Sequence, residues 1–585
     1  MFGHVVFGNF QRAVAARAIS LALILGSAAQ AENFFWNPST ALLNGGADVS
    51  MTANWSQVSN GGGVWPKSSF DDDFTNTALN GAWKFQDKDN DPGTGNYSLS
   101  ANPGQLTLSM RGRDILGSVN QYAGVWRSDI SGDFDVSVKV VNQSGSLSDW
   151  AKFGIIVAND SANLAAGGRF SVIATSKHGI KIMYDATGPI GEFDSPEGDG
   201  VGPLIPVFPV WIRAAKKGGV CFGYYKTSQS APWTLLGTGV PQGPVADSHI
   251  GLFGTSHDIA STLTVVLDDF QASGSIQDNS MELSFNGTST TADSNARLTA
   301  NLTAATVDMT GYTGTFLFGT STLSVTGAKA DFATTALLNA GTGALAFTAA
   351  GGVQVFSPRQ GAVFPAIAKS GGGTLQITAR PLVAGPLSLS GGEVDLGNLT
   401  HQFAGLNATA GSFTGMEADD SLKVTGDADF SGLTGFPTAG SVQIKSQSIP
   451  SGAKILNFKP GNTAFNNLYL WAVGESTRPA RIVTAAGTLQ VKGNLILRDE
   501  RSAAGIFGVL DFRANNTSVN VDSNLLRVDN GSGASPSQQL LMGSGTWTVK
   551  GNVSLSFQNT GSADNSTLDL TGGAPVVQTL TISNG

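Results

Sequence analysis

The chain has almost no cysteine and unusually little charge. Cys221 is the single cysteine in 585 residues, so no internal disulfide can form. Its flanks, Gly219-Val220-Cys221-Phe222, read as a buried strand holding a packed thiol. Charged residues make up 13%, about half the usual share. The 34 Lys and Arg are outnumbered by 43 Asp and Glu, a formal net charge of −9. That balance lacks the basic face a protein needs to displace counterions from nucleic acid. The 5 histidines are scattered, and no Cys/His set has zinc spacing, so a transition-metal centre is not expected. The Gly-rich stretches lack a following helix and a Lys-Ser/Thr pair, which argues against phosphate binding. No run approaches the roughly 20 apolar residues of a membrane-spanning helix, so none is expected once an export signal is removed.

What is present is apolar alternation punctuated by glycine. Hydrophobic residues reach 41%, and there are 75 glycines. Disordered chains combine low hydrophobicity with high net charge, so many short strands joined by Gly and Asn turns fit better. The length exceeds one ordinary core, and two or more domains are expected. Residues 1–31 read as an export signal: Arg12 and Arg17, an apolar run Ala18–Leu25, then Ala29-Gln30-Ala31 before a cut at Glu32. A secreted or cell-surface location follows.

The stretch 67–276 organises the chain. It opens with Phe70-Asp71-Asp72-Asp73-Phe74 and closes with Leu267-Asp268-Asp269-Phe270. Between them Phe134–Val140 alternates as a half-buried strand, Phe153–Val157 is more continuously apolar, and about ten such runs follow one another. This pattern predicts two packed antiparallel sheets, a sandwich or jelly roll. The order Asp-Asp-Phe, Trp83, Asn96–Leu99, Gly104-Gln105-Leu106, Gly132–Val136, Phe153–Val157, Trp211-Ile212-Arg213, Trp233, Ile250–Phe253 and Asp268-Asp269-Phe270 resembles the concanavalin A-like lectin/glucanase superfamily. More narrowly it is similar to the jelly rolls appended to bacterial β-xylosidases and their domain-of-unknown-function relatives. The resemblance spans about a third of the chain and implies a module that binds polysaccharide or serves a secreted protein structurally.

The segment 32–66, with Phe34-Phe35-Trp36-Asn37-Pro38 and Ala53-Asn54-Trp55-Ser56, is too short for a domain. It resembles the opening of bacterial secreted β-solenoid repeat proteins, whose next strand and Asn-Gly turn are matched here only by Met281–Gly287. Two readings stay open: the module is inserted into the first coil or cap of a solenoid, or the parts follow in simple tandem. Across 277–585 a unit recurs as Leu323-Ser-Val-Thr-Gly327, Leu422-Lys-Val-Thr-Gly426, Leu489-Gln-Val-Lys-Gly493 and Trp547-Thr-Val-Lys-Gly551. Val394-Asp395-Leu396, Leu510-Asp511-Phe512 and Leu568-Asp569-Leu570 form a second unit. Such units bury their faces only against neighbours, the logic of a β-solenoid. The final strand-like unit, Gln578–Ile582, carries no polar cap, so either a further chain or partner is expected to cover that end or the sequence is a fragment.

Three constellations bear chemistry. Glu192-Phe193-Asp194-Ser195-Pro196-Glu197 resembles the Glu-x-Asp-x-x-Glu motif of glycoside hydrolase family 16, where one Glu attacks and the other protonates the leaving oxygen. Pro196 and the Gly-rich flanks instead favour a solvated loop. Asp72 and Asp73 would meet Asp268 and Asp269 if the first and last strands are neighbours. Their hard oxygens suit a structural Ca²⁺, as the resemblance implies, while turn and edge roles are the competing reading. Eight of ten tryptophans precede residue 240. Trp126, Trp150, Tyr184 and Trp233 sit in or beside turns, where a ring can stack on a sugar, with Arg127 and Asp149 as hydrogen-bonding neighbours; packing is the plainer role for each. The reading that follows is an all-β adhesin-type protein that binds polysaccharide or cell-surface glycan through the jelly roll, with the solenoid as stalk. The alternatives are a hydrolase using Glu192 and Glu197, and a purely structural surface protein.

Overall fold

The computed structural model describes residues 33–38, 47–88, 94–145, 148–194, 206–243, 249–276, 280–334, 336–447, 454–473, 480–499, 507–529, 537–555, 567–569 and 574–581. The proposed export signal and Glu197 lie outside these residues. The protein is nearly all β, a β-solenoid of about 9 turns plus antiparallel sheets, with about 2% helix. Among the described residues no helix is long and apolar enough to cross a membrane.

The two-sheet module occupies the middle of the first half. A seven-stranded sheet runs in the order Thr234–Gly239, Val220–Lys226, Val210–Lys217, Phe134–Ser144, Leu263–Ala272, Leu106–Met110, Asn96–Ser98. A six-stranded sheet runs Ile180–Tyr184, Phe170–Thr175, Lys152–Ala158, His249–Thr255, Ala123–Arg127, Lys84–Asp87. Neighbouring strands in both are antiparallel, and period-2 alternation sends Val136, Val138, Val140, Phe153, Ile155 and Val157 into one shared core. Cys221 lies in that core, and burial pushes its thiol up to about 12. The acidic ends meet: Asp72 and Phe270 exchange backbone hydrogen bonds at 2.9 and 3.0 Å.

The six-stranded sheet carries a second, smaller core on its outer face. Trp126, Ile156, Ile173, Met183 and Phe253 are roofed there by Ile115, Tyr122 and Phe193. The roof is tied down where Gly117 N–H donates to the Phe193 carbonyl at 2.8 Å.

The solenoid begins ahead of the module. Asn33–Trp36 pairs in parallel with Glu282–Ser284, which pairs with Thr306–Asp308. The chain leaves this coil after Trp55–Ser56, which lies antiparallel to Asn33–Trp36, and returns beyond the module. Trp36, Trp55 and Phe285 fill this first coil with ring centroids 5.1–5.5 Å apart. Later coils stack like on like: Leu302, Leu323, Leu345, Ile367, Leu387 and Leu406 form one buried ladder. These steps are about 20 residues; farther along, Leu456, Ile482, Leu510, Leu540 and Leu568 step by nearer 30. Phe318, Phe332, Phe356 and Phe364 pack edge to face inside the shaft and supply the large buried area a narrow core needs.

Candidate functional site

At the corner where the module's ends meet, the four aspartates do separate jobs. Buried Asp72 accepts the Trp83 indole N–H at 3.0 Å and the Phe74 N–H at 2.9 Å. Exposed Asp73 accepts from the Thr75 hydroxyl, Asp268 pairs with Lys139 at 3.2 Å, and Asp269 is half-buried. A cavity of about 210 Å³ is lined by Asp71, Asp72, Asp73, Asp269, Asn76 and Asn80. Burial raises the Asp269 carboxyl, with the charges of Asp268 and Asp71 adding to it, and burial likewise raises Asp71. Among the described residues no three or more His, Cys, Asp or Glu side chains converge as a metal would require. Asp72 and Asp73 thus accept from protein donors and Asp268 pairs with Lys139, while Asp71, Asp72, Asp73 and Asp269 share the lining of one cavity.

Trp126 and Arg127 separate, because adjacent strand residues point to opposite faces. Trp126 is 2% exposed beneath the roof, with no open ring face. Arg127 is buried at the corner, held by Asp129 at 2.7 Å and set over the rings of Trp83 and Phe270. Tyr184 packs at the side of the core beside Gly239, where any Cβ would strike its ring. None of these three side chains is laid out as a sugar platform.

Trp150 is half-exposed and lies flat on His178, centroids 3.7 Å apart, with Lys181 Nζ 4.8 Å from its ring. Asp149 is exposed and pairs with Lys177 at 2.7 Å. Sequence reasoning missed what stands next to them. Ser148 Oγ lies 3.0 Å from His257 Nδ1, and His257 Nε2 lies 3.3 Å from Asp114. That order of groups resembles an acyl-transfer triad. Here Asp114 is shared with buried Lys152, and Ser148 Oγ accepts the Trp150 N–H, so the set clamps three loops at the sheet's end. No local motif marks it, since the three residues come from separate connections.

In the acidic loop, Phe193 is buried in the roof, leaving Glu192 and Asp194 on the other side of the segment. Asp194 accepts N–H bonds from Ala186 and Thr187 at 2.8 and 2.9 Å and the Thr187 hydroxyl at 2.7 Å. These are the bonds of a loop staple. Burial draws Arg169, beneath this loop, down to about 10, opposed by the charges of Tyr122, Asp185 and Glu192.

Trp233 is placed differently. It is half-exposed and lines a cleft of about 350 Å³ between the seven-stranded sheet and the solenoid's first coil. The module supplies Arg213, Tyr224, Pro232 and Trp233 to this cleft; the coil supplies Asn37, Asn60 and Thr288–Thr291. Arg213 is 4% exposed and donates to Asp135 at 2.7 Å. Its guanidinium lies 4.8 Å from the Tyr224 ring centroid, 5.1 Å from Trp65 and 5.4 Å from Trp233. The aromatic wall is thus fixed from behind by a buried, fully paired cation. Lys226 joins module to coil, donating to the Gly63 carbonyl at 2.6 Å and the Gln229 carbonyl at 3.0 Å. Burial, then the nearby Arg213 charge, draws its ammonium down to about 8.

No protein-family profile matches the chain, and no curated protein matches it. Solved structures match over about a third of it. They include Bacteroides ovatus xyloglucan PUL GH43B (18% identity, 36% of this chain, 40% of that chain, TM-score 0.26). The xylan β-1,4-xylosidase from Bacillus halodurans C-125 is also among them (19%, 36% and 40%, 0.27). A lectin from Bauhinia forficata in complex with GalNAc matches over its full length (13%, 36% and 100%, 0.22). This chain spans about two fifths of the length of the two glycoside hydrolases.

Proposed function

We propose that this is a glycan-binding protein working outside the cell, an adhesin-type molecule in which the two-sheet module meets carbohydrate and the solenoid is the stalk. The observation that supports this reading is Trp233. It is a half-exposed indole, braced by buried cations, and it opens on a cleft of mixed aromatic and hydroxyl lining. Such a surface gives a pyranose ring an apolar face to stack on and gives its hydroxyls nearby partners. The alternative of hydrolysis through Glu192 and Glu197 has no comparable support, because Asp194 and Phe193 are committed to holding their loop. A glycan array probed with the purified full chain tests the reading. Retention of one class of glycan, abolished by Trp233→Ala without loss of thermal stability, is the expected result; an array blank for all classes removes it.

A further inference from the structure

The cleft at Trp233 belongs to neither part of the molecule alone. Its aromatic wall comes from strands Val210–Lys217 and Val220–Lys226 and the turn after them. Its polar wall comes from Asn37 and Asn60 before the module and Thr288–Thr291 after it. The wall has its own bracing: the Thr291 hydroxyl donates to Asn37 Oδ1 at 3.0 Å, and Thr288 N–H donates to the Ser59 carbonyl at 2.7 Å. The two walls are also joined directly. Gly63 N–H donates to the Gln229 carbonyl at 2.7 Å, and a Cβ on Gly62 would collide with the Ser230 carbonyl, so the loops are in backbone contact. Trp65 N–H and Gln271 Oε1 add a 3.3 Å bond, and Thr52 N–H reaches the Gly274 carbonyl at 3.0 Å. A cleft held by this many junction bonds is preformed, which spares a ligand the cost of ordering it.

Resting on the glycan-binding reading above, we infer that this junction cleft grips a short run of neutral sugar between the module's Trp233 and the first coil's Thr288–Thr290. Neutrality follows from the charge account. Arg213 is paired with buried Asp135, and Lys226 is buried, lies outside the cleft lining and donates to two carbonyls, so the lining offers no exposed cation to a carboxylate or sulfate. Besides the Asp135-paired Arg213, the cleft is lined by indole, phenol, proline rings, amide and hydroxyl groups. About 350 Å³ lies at the small end of ligand pockets, room for one or two pyranose rings rather than a long polymer stretch.

Binding of the full chain to neutral hexasaccharides (cello-, xylo-, malto- and mannohexaose) and to an anionic control, hexagalacturonate, is measured by calorimetry. The variants are Trp233→Ala on the module side, Thr290→Trp on the coil side and Trp150→Ala away from the cleft. Thr290 is exposed, so its replacement fills the cleft without entering a core. The expected result is a neutral ligand whose Kd rises about tenfold or more in both cleft variants and is unchanged in Trp150→Ala. A ligand lost in Trp233→Ala but untouched by Thr290→Trp overturns the shared cleft while leaving glycan binding in place. Preference for hexagalacturonate overturns neutrality, and loss in Trp150→Ala alone moves the site elsewhere. If no saccharide binds, the inference falls together with the reading beneath it.

Discussion

At the scale of residues, several of the module's buried charges are committed to ion pairs. Arg213 with Asp135, Lys152 with Asp114 and Arg127 with Asp129 are ion pairs in or at the edge of the module's buried regions. Asp269 differs from these. Its raised carboxyl binds its proton more tightly in the fold than in the unfolded chain. Its contribution is therefore fully present below the unfolded value near 3.9 and is lost as pH rises through the raised folded value. Asp269→Asn should accordingly raise the thermal midpoint at pH 7 in EGTA and flatten the midpoint's rise on acidification. Calcium should shift neither protein. A calcium-dependent rise in the parent that the Asn variant lacks would show that the corner holds an ion after all. The pairing of the two acidic ends was legible because matching Asp-Asp-Phe strings bracket the strands. The partners that occupy Asp72 and Asp268 were not, since Trp83 and Lys139 are joined to them only by the fold.

At the scale of elements, the solenoid depends on close coil-to-coil contact. Gly397 has φ +60°, and a Cβ there would strike the Ile377 carbonyl of the preceding coil. Gly397→Ala should lower stability by more than about 1 kcal/mol, since strain and collision act together. Urea unfolding followed by tryptophan fluorescence measures it; an unchanged midpoint would mean the coils are not stacked in this register. Strand alternation and Gly turns made the shaft readable, but its period was not. Leu489 and Trp547 fall on one ladder two coils apart, through Val519, whereas Leu323 and Leu422 stand in other ladders. The same unit thus builds different sides, and coil length grows along the chain. Trp126 shows the complementary failure. Its place beside a turn suggested exposure, but the roof over it comes from Ile115 and Tyr122 just upstream and from Phe193, which is distant in sequence, and none of them carries a signal of where it docks.

At the scale of the whole molecule, function is argued from a junction. Trp233 was a candidate from its place by a turn, yet its cleft partners Asn37 and Thr288–Thr291 lie on either side of the entire module. They come together only because Asn33–Trp36 and Glu282–Ser284 are neighbouring strands of one coil. That arrangement also explains why a short segment rich in buried aromatics precedes the module: Trp36 and Trp55 complete a core begun by Phe285. The most direct measurement is a double-cysteine crosslink. Asn33 and Glu282 are paired across these strands, and neighbouring strands lie about 4.8 Å apart, within disulfide reach. Cys221, fully buried, is set to stay out of the reaction. Asn33→Cys with Glu282→Cys should give a disulfide-linked peptide pair under mild oxidation, with the thermal midpoint kept or raised. Two cysteines that remain free under the same oxidation, in a protein still folded, would contradict the shared coil and with it the cleft.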